Sequence, residues 1–191
     1  MYVDYSVTLN DSFLKMVDTL QSPSFIFPVF TRNIIQEVIQ NYVYGYISDE
    51  QVLELSLFLK DKDIDNMLPV QCKMIFRDNN DPAIIRFNEL WWKYYTTWSL
   101  ERDQPAAIVA LHEPCLQPCY VKKKDFDDVF SRKLEGKKLA AQNYRYFEQH
   151  TDPAAIVALC RKIADETGIP IARYVTLRDV AVWISNTPKM V

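Results

Sequence analysis

The stretch that decides the fold is RFNELWWKYYTTWSLERDQP, residues 86–105, which holds three tryptophans and two tyrosines and ends in an Arg-Asp-Gln triplet before its last proline. Apolar residues recur at spacings of three and four over residues 84–98, which predicts one long helix. Asp81 is a typical N-cap for this helix, and Pro82 suits its first position because a missing N–H costs nothing there.

The triplet at the end of this stretch raises the functional question. A second helix is predicted to begin at Gln104-Pro105, so Asp103 lies at a helix N-terminus, where the helix dipole and the N–H groups of the first turn stabilise a carboxylate. Asp103 is then either a capping carboxylate paired with Arg102 or a catalytic group. Composition alone favours the cap.

The rest of the chain alternates between strand-like and helix-like segments. The segments with strand composition are residues 5–9, 25–30 and 70–76. Helices are predicted over residues 33–44, from a Ser48/Gln51 capping box to residue 60, over 127–147, over 152–167 and after Thr176. This order predicts an α/β part over residues 1–115 and a helical C-terminal extension over residues 116–191.

Charge and composition exclude several classes of protein. The net charge of −3 does not suit binding of duplex nucleic acid. No apolar run reaches the ~20 residues that span a bilayer, and the N-terminus lacks a signal-peptide pattern, so a cytoplasmic protein is expected, in the host cytoplasm if the source is viral. The 3 glycines are too few for the phosphate-binding loop of a P-loop NTPase or a Rossmann dehydrogenase.

The cysteines leave a minor alternative. Four cysteines at irregular spacing predict reduced thiols rather than a disulfide framework. His112, Cys115 and Cys119, with His150 or Cys160 as the fourth ligand, would make a tetrahedral zinc site, but a proline-rich loop is the simpler interpretation of this spacing. A Cys-His nucleophile has no support in the local sequence.

Four segments in a fixed order resemble a known family. They are DYSVTLND (residues 4–11), FIFPVF (25–30), CKMIFRDNNDPAIIRFNELWW (72–92) and SLERDQ (99–104). Their order and spacing resemble a glycosyltransferase-like family with a GT-A type of fold, which has members in bacteria, viruses and plants. The resemblance covers about residues 2–111 and implies an α/β fold, a partial GT-A-like mixed sheet with flanking helices.

The resemblance also implies a function. Members of such a family transfer a sugar from a nucleotide-sugar donor to a glycan or another hydroxyl acceptor. Carried over to this sequence, the metal motif falls on Asn10 and Asp11, which would lie near a Mn or Mg ion that stabilises the departing diphosphate. Arg77 and Asp4 would contact the donor.

The same resemblance implies that Asp103 serves the acceptor hydroxyl and that Arg102 is its partner. A GT-A enzyme places a β/α unit before its metal motif, whereas about nine residues precede Asn10 here. The resemblance is therefore to the C-terminal half of the family. Either the chain is the C-terminal part of a split or longer transferase, with a partner chain completing the fold in the split case, or it is a remnant without the sugar-nucleotide site. The alternative function is a non-catalytic interaction or structural protein, for example a viral one, which binds a partner through the aromatic helix.

Overall fold

The computed structural model describes residues 2–3, 7–19, 25–29, 33–65, 67, 72, 74–98, 100, 103–113, 119–122, 130–132 and 149–187, and all structural statements concern these. The helices of this part are α1 (Ser12–Thr19), α2 (Ile34–Val43), α3 (Asp49–Asp61), α4 (Pro82–Thr97), α5 (Gln104–His112), α6 (Pro153–Thr167) and α7 (Leu177–Asn186), with a short 3₁₀ turn at Ile171–Arg173.

Local sequence signals set where the helices begin. The Ser48 hydroxyl accepts the Gln51 N–H at 3.3 Å and the Gln51 side chain accepts the Ser48 N–H at 2.8 Å, which confirms the predicted capping box of α3. Thr176 and Asp179 form the same arrangement at α7. The Asp81 carboxylate caps α4, also as predicted, by accepting a backbone N–H in the first turn.

The strands are β1 (Tyr2–Val3), β2 (Val7–Leu9), β3 (Phe25–Val29), β4 (Met74–Arg77), β5 (Cys119–Lys122) and β6 (Phe130–Arg132). They pair in the order β1-β4-β3-β5 and, separately, β2-β6. β3 and β5 are parallel and the other pairs are antiparallel. Strand β6 lies inside residues 127–147, so the helix predicted there is wrong at its start, and the rest of that range lies outside the described residues.

Helices build most of the described core. Helix α5 lies at its centre, because every residue from Pro105 to Leu111 is buried, as expected of a helix that is apolar on all sides. Helix α4 packs along α5, and α2 contacts both α3 and α5. The C-terminal helices join the same buried cluster: α6 packs on α3 through residues such as Ile156 and Ile163, and α7 packs on α2.

The predicted fold class, an α/β fold with a partial GT-A-like mixed sheet, is wrong. Where side chains are described, about 70% of the chain is helical, and six helices, α2 to α7, carry the structure. The strand-like segments form strands of only two to five residues, and Ile75 is the strand residue that enters the described core. Among the residues with described side chains, the apolar core is formed mainly by helices. No helix among the described residues is long and apolar enough to cross a membrane.

Candidate functional site

A cavity of about 670 Å³ lies between the end of β4, one face of α4 and the N-terminus of α5. The described residues that line it are Arg77, Asn88, Trp91, Trp92, Tyr95 and Asp103. The four residues from α4 follow the spacing i, i+3, i+4 and i+7, which places them on one face of that helix. This face lies beside the core face of α4, which buries Ile84, Phe87, Leu90 and Tyr94.

A cation and an amide form the polar wall of the cavity. The guanidinium Nη1 of Arg77, at the end of β4, donates to the Asn88 side-chain oxygen at 2.6 Å. Both residues are partly buried, and the bond joins the strand to the middle of α4. Hydrogen bonds to a charged donor are stronger than neutral ones, so this contact fixes the guanidinium at the cavity wall.

Two aromatic rings form the open wall of the cavity, the aromatic shelf of Trp92 and Tyr95. Their ring centroids lie 6.0 Å apart and their planes differ by 28°. The Trp92 side chain is 68% exposed, although tryptophan is usually well covered in a folded chain. The shelf therefore offers a flat apolar face beside polar groups, which is the usual composition of a small-molecule site.

Asp103 occupies the N-cap position of α5, but its side chain makes no capping hydrogen bond. The side-chain cap that composition alone favours is thus not formed, and the residue lines the cavity instead. Its backbone carbonyl accepts the Ala107 N–H at 2.9 Å and the indole N–H of Trp91 at 3.1 Å. The helix N-terminus still favours negative charge at this position.

A buried thiol lies behind Asp103. Burial, and next the negative charges of Asp103 and Glu37, raise the pKa of Cys72 well above its ordinary value. Such a thiol stays protonated and is a poor nucleophile, because the thiolate is the reactive form.

The structure brings together some of the residues implied by the resemblance and not others. Arg77 and Asp103 share the cavity. Asn10 and Asp11 are exposed at the start of α1 and are not among the described residues that line the cavity. Asp4 and Arg102 lie outside the described residues.

Asn10, one of the two residues that the resemblance places near a Mn or Mg ion, makes a local hydrogen bond. One oxygen of the Asn10 side chain accepts the Ser12 N–H at 2.9 Å, so it caps the turn into α1. Within the described residues, no group of three or more His, Cys, Asp or Glu side chains is placed to hold a metal ion. The metal stays a prediction, and no chemical step proposed below uses one.

The zinc alternative stays a prediction, and the described residues give the surroundings of three of its five candidate ligands. His112 is exposed at the end of α5, and the ring of His150 stacks on Tyr42 with centroids 3.9 Å apart. Burial raises the pKa of Cys160 on α6 to about 11. Cys115 and the side chain of Cys119 lie outside the described residues.

Sequence reasoning missed Asn88 as a site residue. Asparagine is a poor residue for the middle of a helix. Asn88 lies four residues before Trp92 and seven before Tyr95, so the sequence could have placed it on the same helix face as these rings. The structure buries Trp98 against Phe58 and Tyr94, with ring centroids 5.0 Å away in both contacts.

Comparison with known proteins adds no relative. No protein-family model matches the sequence, no curated protein matches it, and no solved structure matches the chain. The resemblance to glycosyltransferases stays a prediction, and the case for a function rests on the chemistry of the cavity.

Proposed function

We propose that the cavity binds a saccharide and that the chain is a glycosyltransferase-like protein, which transfers a sugar from a nucleotide-sugar donor to a hydroxyl acceptor. The observation that carries the proposal is the convergence of a guanidinium, an amide, a carboxylate and an aromatic shelf on one cavity. The proposal does not depend on a GT-A fold.

The composition of the cavity suits a sugar better than a purely apolar ligand. A sugar ring presents C–H groups on its faces and hydroxyl groups at its edge. The Trp92 and Tyr95 rings would pack against the C–H face, while Asn88 and Asp103 would bond to the hydroxyls. The volume of about 670 Å³ falls within the ~300–1,000 Å³ typical of ligand sites.

Asp103 is the candidate acid/base group. A carboxylate in hydrogen-bond reach of the acceptor hydroxyl would accept its proton as the oxygen attacks the sugar carbon. Arg77 would stabilise the negative charge of the departing diphosphate. A partner chain that completes the donor site, as the resemblance implies, belongs to the same proposal.

Thermal-shift titration tests the proposal. The purified chain is titrated with UDP-glucose, GDP-mannose and a set of neutral oligosaccharides, with and without Mn. A ligand that binds only the folded state stabilises it by about 2.7 kcal/mol at a hundredfold excess over its dissociation constant. Saturable shifts that need roughly fivefold more ligand in Trp92→Ala and stay unchanged in Leu177→Ala would support the proposal, since Leu177 is a similarly exposed apolar residue on α7.

Absence of any shift across this set would overturn saccharide binding by the chain alone. A shift with oligosaccharides but with no nucleotide sugar would favour a second function, a non-catalytic glycan-binding module. The 68% exposure of Trp92 favours this second candidate specifically, because an exposed tryptophan serves binding without requiring a donor site.

A further inference from the structure

We propose that a groove between α6 and α7 docks an amphipathic helix of a partner protein, one whose apolar face is bordered by acidic side chains. This α6–α7 groove has a volume of about 230 Å³ and is formed by α6, the 3₁₀ turn and the start of α7. Docking there would not involve the cavity between α4 and α5, with which the groove shares none of its described lining residues.

One face of α6 forms the first wall of the groove. Val157, Arg161 and Ala164 line it at the spacing i, i+4 and i+7, and Cys160 lies among them. The neighbouring face of the same helix is buried in the core through residues such as Ile163. Val157 and Ala164 are only partly buried, so packing of α6 on the core leaves a second apolar face that is incompletely covered.

The start of α7 forms the second wall. Leu177, the first residue of this helix, lines the groove although its side chain is 73% exposed. Ile171 and Val175 continue the apolar lining between the two helices. The exposed leucine is thus part of a continuous apolar surface, and such surfaces mark sites of interaction with other molecules.

The size of the groove suits side chains better than a cofactor. Its volume of about 230 Å³ lies below the ~300–1,000 Å³ that is typical of small-molecule sites. An amphipathic helix presents apolar side chains at i, i+3, i+4 and i+7 to a groove of this kind. The groove therefore has room for a few side chains of a docked helix, while the backbone of that helix stays outside.

Basic side chains stand around the groove. Arg161 lines it, and two exposed arginines, Arg173 and Arg178, directly follow the lining residues Ala172 and Leu177 along the chain. These arginines contrast with the net charge of −3 of the whole chain. Complementary charge steers binding and like charge opposes it, so the arginines favour a partner helix with acidic side chains beside its apolar face.

Most acidic side chains of the same two helices are engaged locally. Glu166 pairs with Lys162 on α6 at 3.9 Å. The Asp179 carboxylate accepts the N–H and the hydroxyl of Thr176 at the start of α7, at 2.9 and 2.7 Å. Asp165 is the remaining carboxylate of α6 and α7. The arginines around the groove therefore outnumber the carboxylates that could oppose an acidic partner.

Two synthetic peptides test the proposal by NMR. Each is about 16 residues long, enough for partial helicity in water, and carries leucine at i, i+3, i+4 and i+7 with either glutamate or lysine at the flanking positions. Titrated into the isotope-labelled full chain, the glutamate peptide should shift the amide signals of Val157, Ala164 and Leu177 saturably. The lysine peptide should bind at least about tenfold more weakly.

Filling the groove should block the glutamate peptide. Ala164→Leu adds bulk to the groove wall and should weaken its binding by about tenfold or more. Ala158→Leu is the matched control, because Ala158 is an exposed alanine of the same helix that does not line the groove. Its affinity should equal that of the wild type.

Reversing one charge should reverse the preference. Arg161→Glu should bind the lysine peptide more tightly than the glutamate peptide, because the charge at the rim now repels acidic side chains. Lys162→Glu makes the same change at the next residue, outside the groove lining, and should still prefer the glutamate peptide. Each variant places glutamate four residues before an acidic residue of α6, so their effects on stability are matched. Arg161 is exposed, so this test remains if Ala164→Leu does not fold.

Several results would overturn the proposal. They are absence of shifts at the groove, equal affinity for the two peptides, equal losses in Ala164→Leu and Ala158→Leu, and shifts at Trp92 instead, which would place the peptide in the cavity. Light scattering on the chain alone and binding to anionic phosphatidylserine vesicles test other occupants. A dimer that Ala164→Leu dissociates would assign the groove to a second copy. Vesicle binding that Arg161→Glu abolishes, with neither peptide bound, would assign it to a membrane surface.

Discussion

The guanidinium of Arg77 and the side-chain amide of Asn88 are joined by a hydrogen bond of 2.6 Å across the cavity wall. This bond links the end of a strand to the middle of α4, and both partners line the cavity. A cation held in this way keeps its direction before a ligand arrives, which lowers the cost of ordering it on binding.

Asn88→Ala should therefore weaken ligand binding, by up to about tenfold, because Arg77 loses a hydrogen bond that helps to orient it. The free energy of unfolding should fall by about 2 kcal/mol, the usual net value of a hydrogen bond to a charged group. Glu89→Ala is the matched control: Glu89 is the next residue of α4 and forms only an exposed ion pair with Arg86 at 3.6 Å, which is worth little. Isothermal titration with the best saccharide of the thermal-shift set measures the first effect, and equal losses in both variants would contradict the role of Asn88.

Asp103→Asn should separate catalysis from stability. Asparagine is nearly the same size as aspartate and is also favoured at helix N-termini, so the midpoint of thermal unfolding should barely move. Glycosyl transfer should fall by about 10²- to 10⁴-fold, the usual contribution of an acid/base group. Asp152 is the control residue, because its carboxylate does cap a helix: it accepts the Ala154 N–H at 2.9 Å at the start of α6. The variants Asp152→Asn and Asp152→Ala show how much stability depends on such a cap.

In that contrast, Asp152→Ala should cost about 1 kcal/mol of stability and Asp152→Asn much less, because asparagine also caps helices. Neither change should affect transfer. A loss of stability in Asp103→Ala as large as in Asp152→Ala, with transfer intact in Asp103→Asn, would assign a capping role to Asp103 in place of the catalytic one.

Helix ends were predictable because their signals are local. Proline after a polar residue predicted three helix starts, at Pro82, Gln104 and Pro153, and the structure begins helices at these residues. Each signal acts through neighbours within four residues along the chain. Such contacts do not depend on how the rest of the chain is arranged.

The fold class was not predictable in the same way. Residues 25–30 have strand composition and do contain β3, but pairing depends on distant segments, and strand propensity depends strongly on context. The spacing of apolar residues along α4 also predicted a single apolar stripe, although the helix has two apolar faces. The structure divides that stripe into a core face with Phe87 and a cavity face with Trp91, and it leaves Ile85 46% exposed.

Trp92→Ala should reduce saccharide binding without destabilising the fold. The ring is 68% exposed, so its removal exposes little core surface. The free energy of unfolding should therefore change by less than about 0.5 kcal/mol. Loss of an aromatic stacking partner should cost about 1 kcal/mol of binding or more, roughly a fivefold weaker affinity. Quenching of tryptophan fluorescence by the ligand should shrink in parallel. Unchanged affinity in Trp92→Ala would remove the aromatic shelf from the site.

Alkaline pH should weaken the fold through two buried tyrosines. Burial, together with the hydrogen bond to Glu113, raises the pKa of Tyr94 to about 12. Burial and the charge of Asp49 raise the pKa of Tyr42 to about 12 as well. In the unfolded chain both phenols lose their protons near pH 10.

The sign of the effect follows from these values. Below pH 10 both states keep the phenol protons, so the stabilisation is fully present. Between about pH 10 and 12 the unfolded state binds fewer protons, and the free energy of unfolding should fall by up to about 1.4 kcal/mol per pH unit for each tyrosine. Urea unfolding at pH 9, 10 and 11 measures the slope. Tyr94→Phe, which cannot ionise, should flatten it, and a slope as steep as that of the wild type would show that Tyr94 does not set the alkaline limit of the fold.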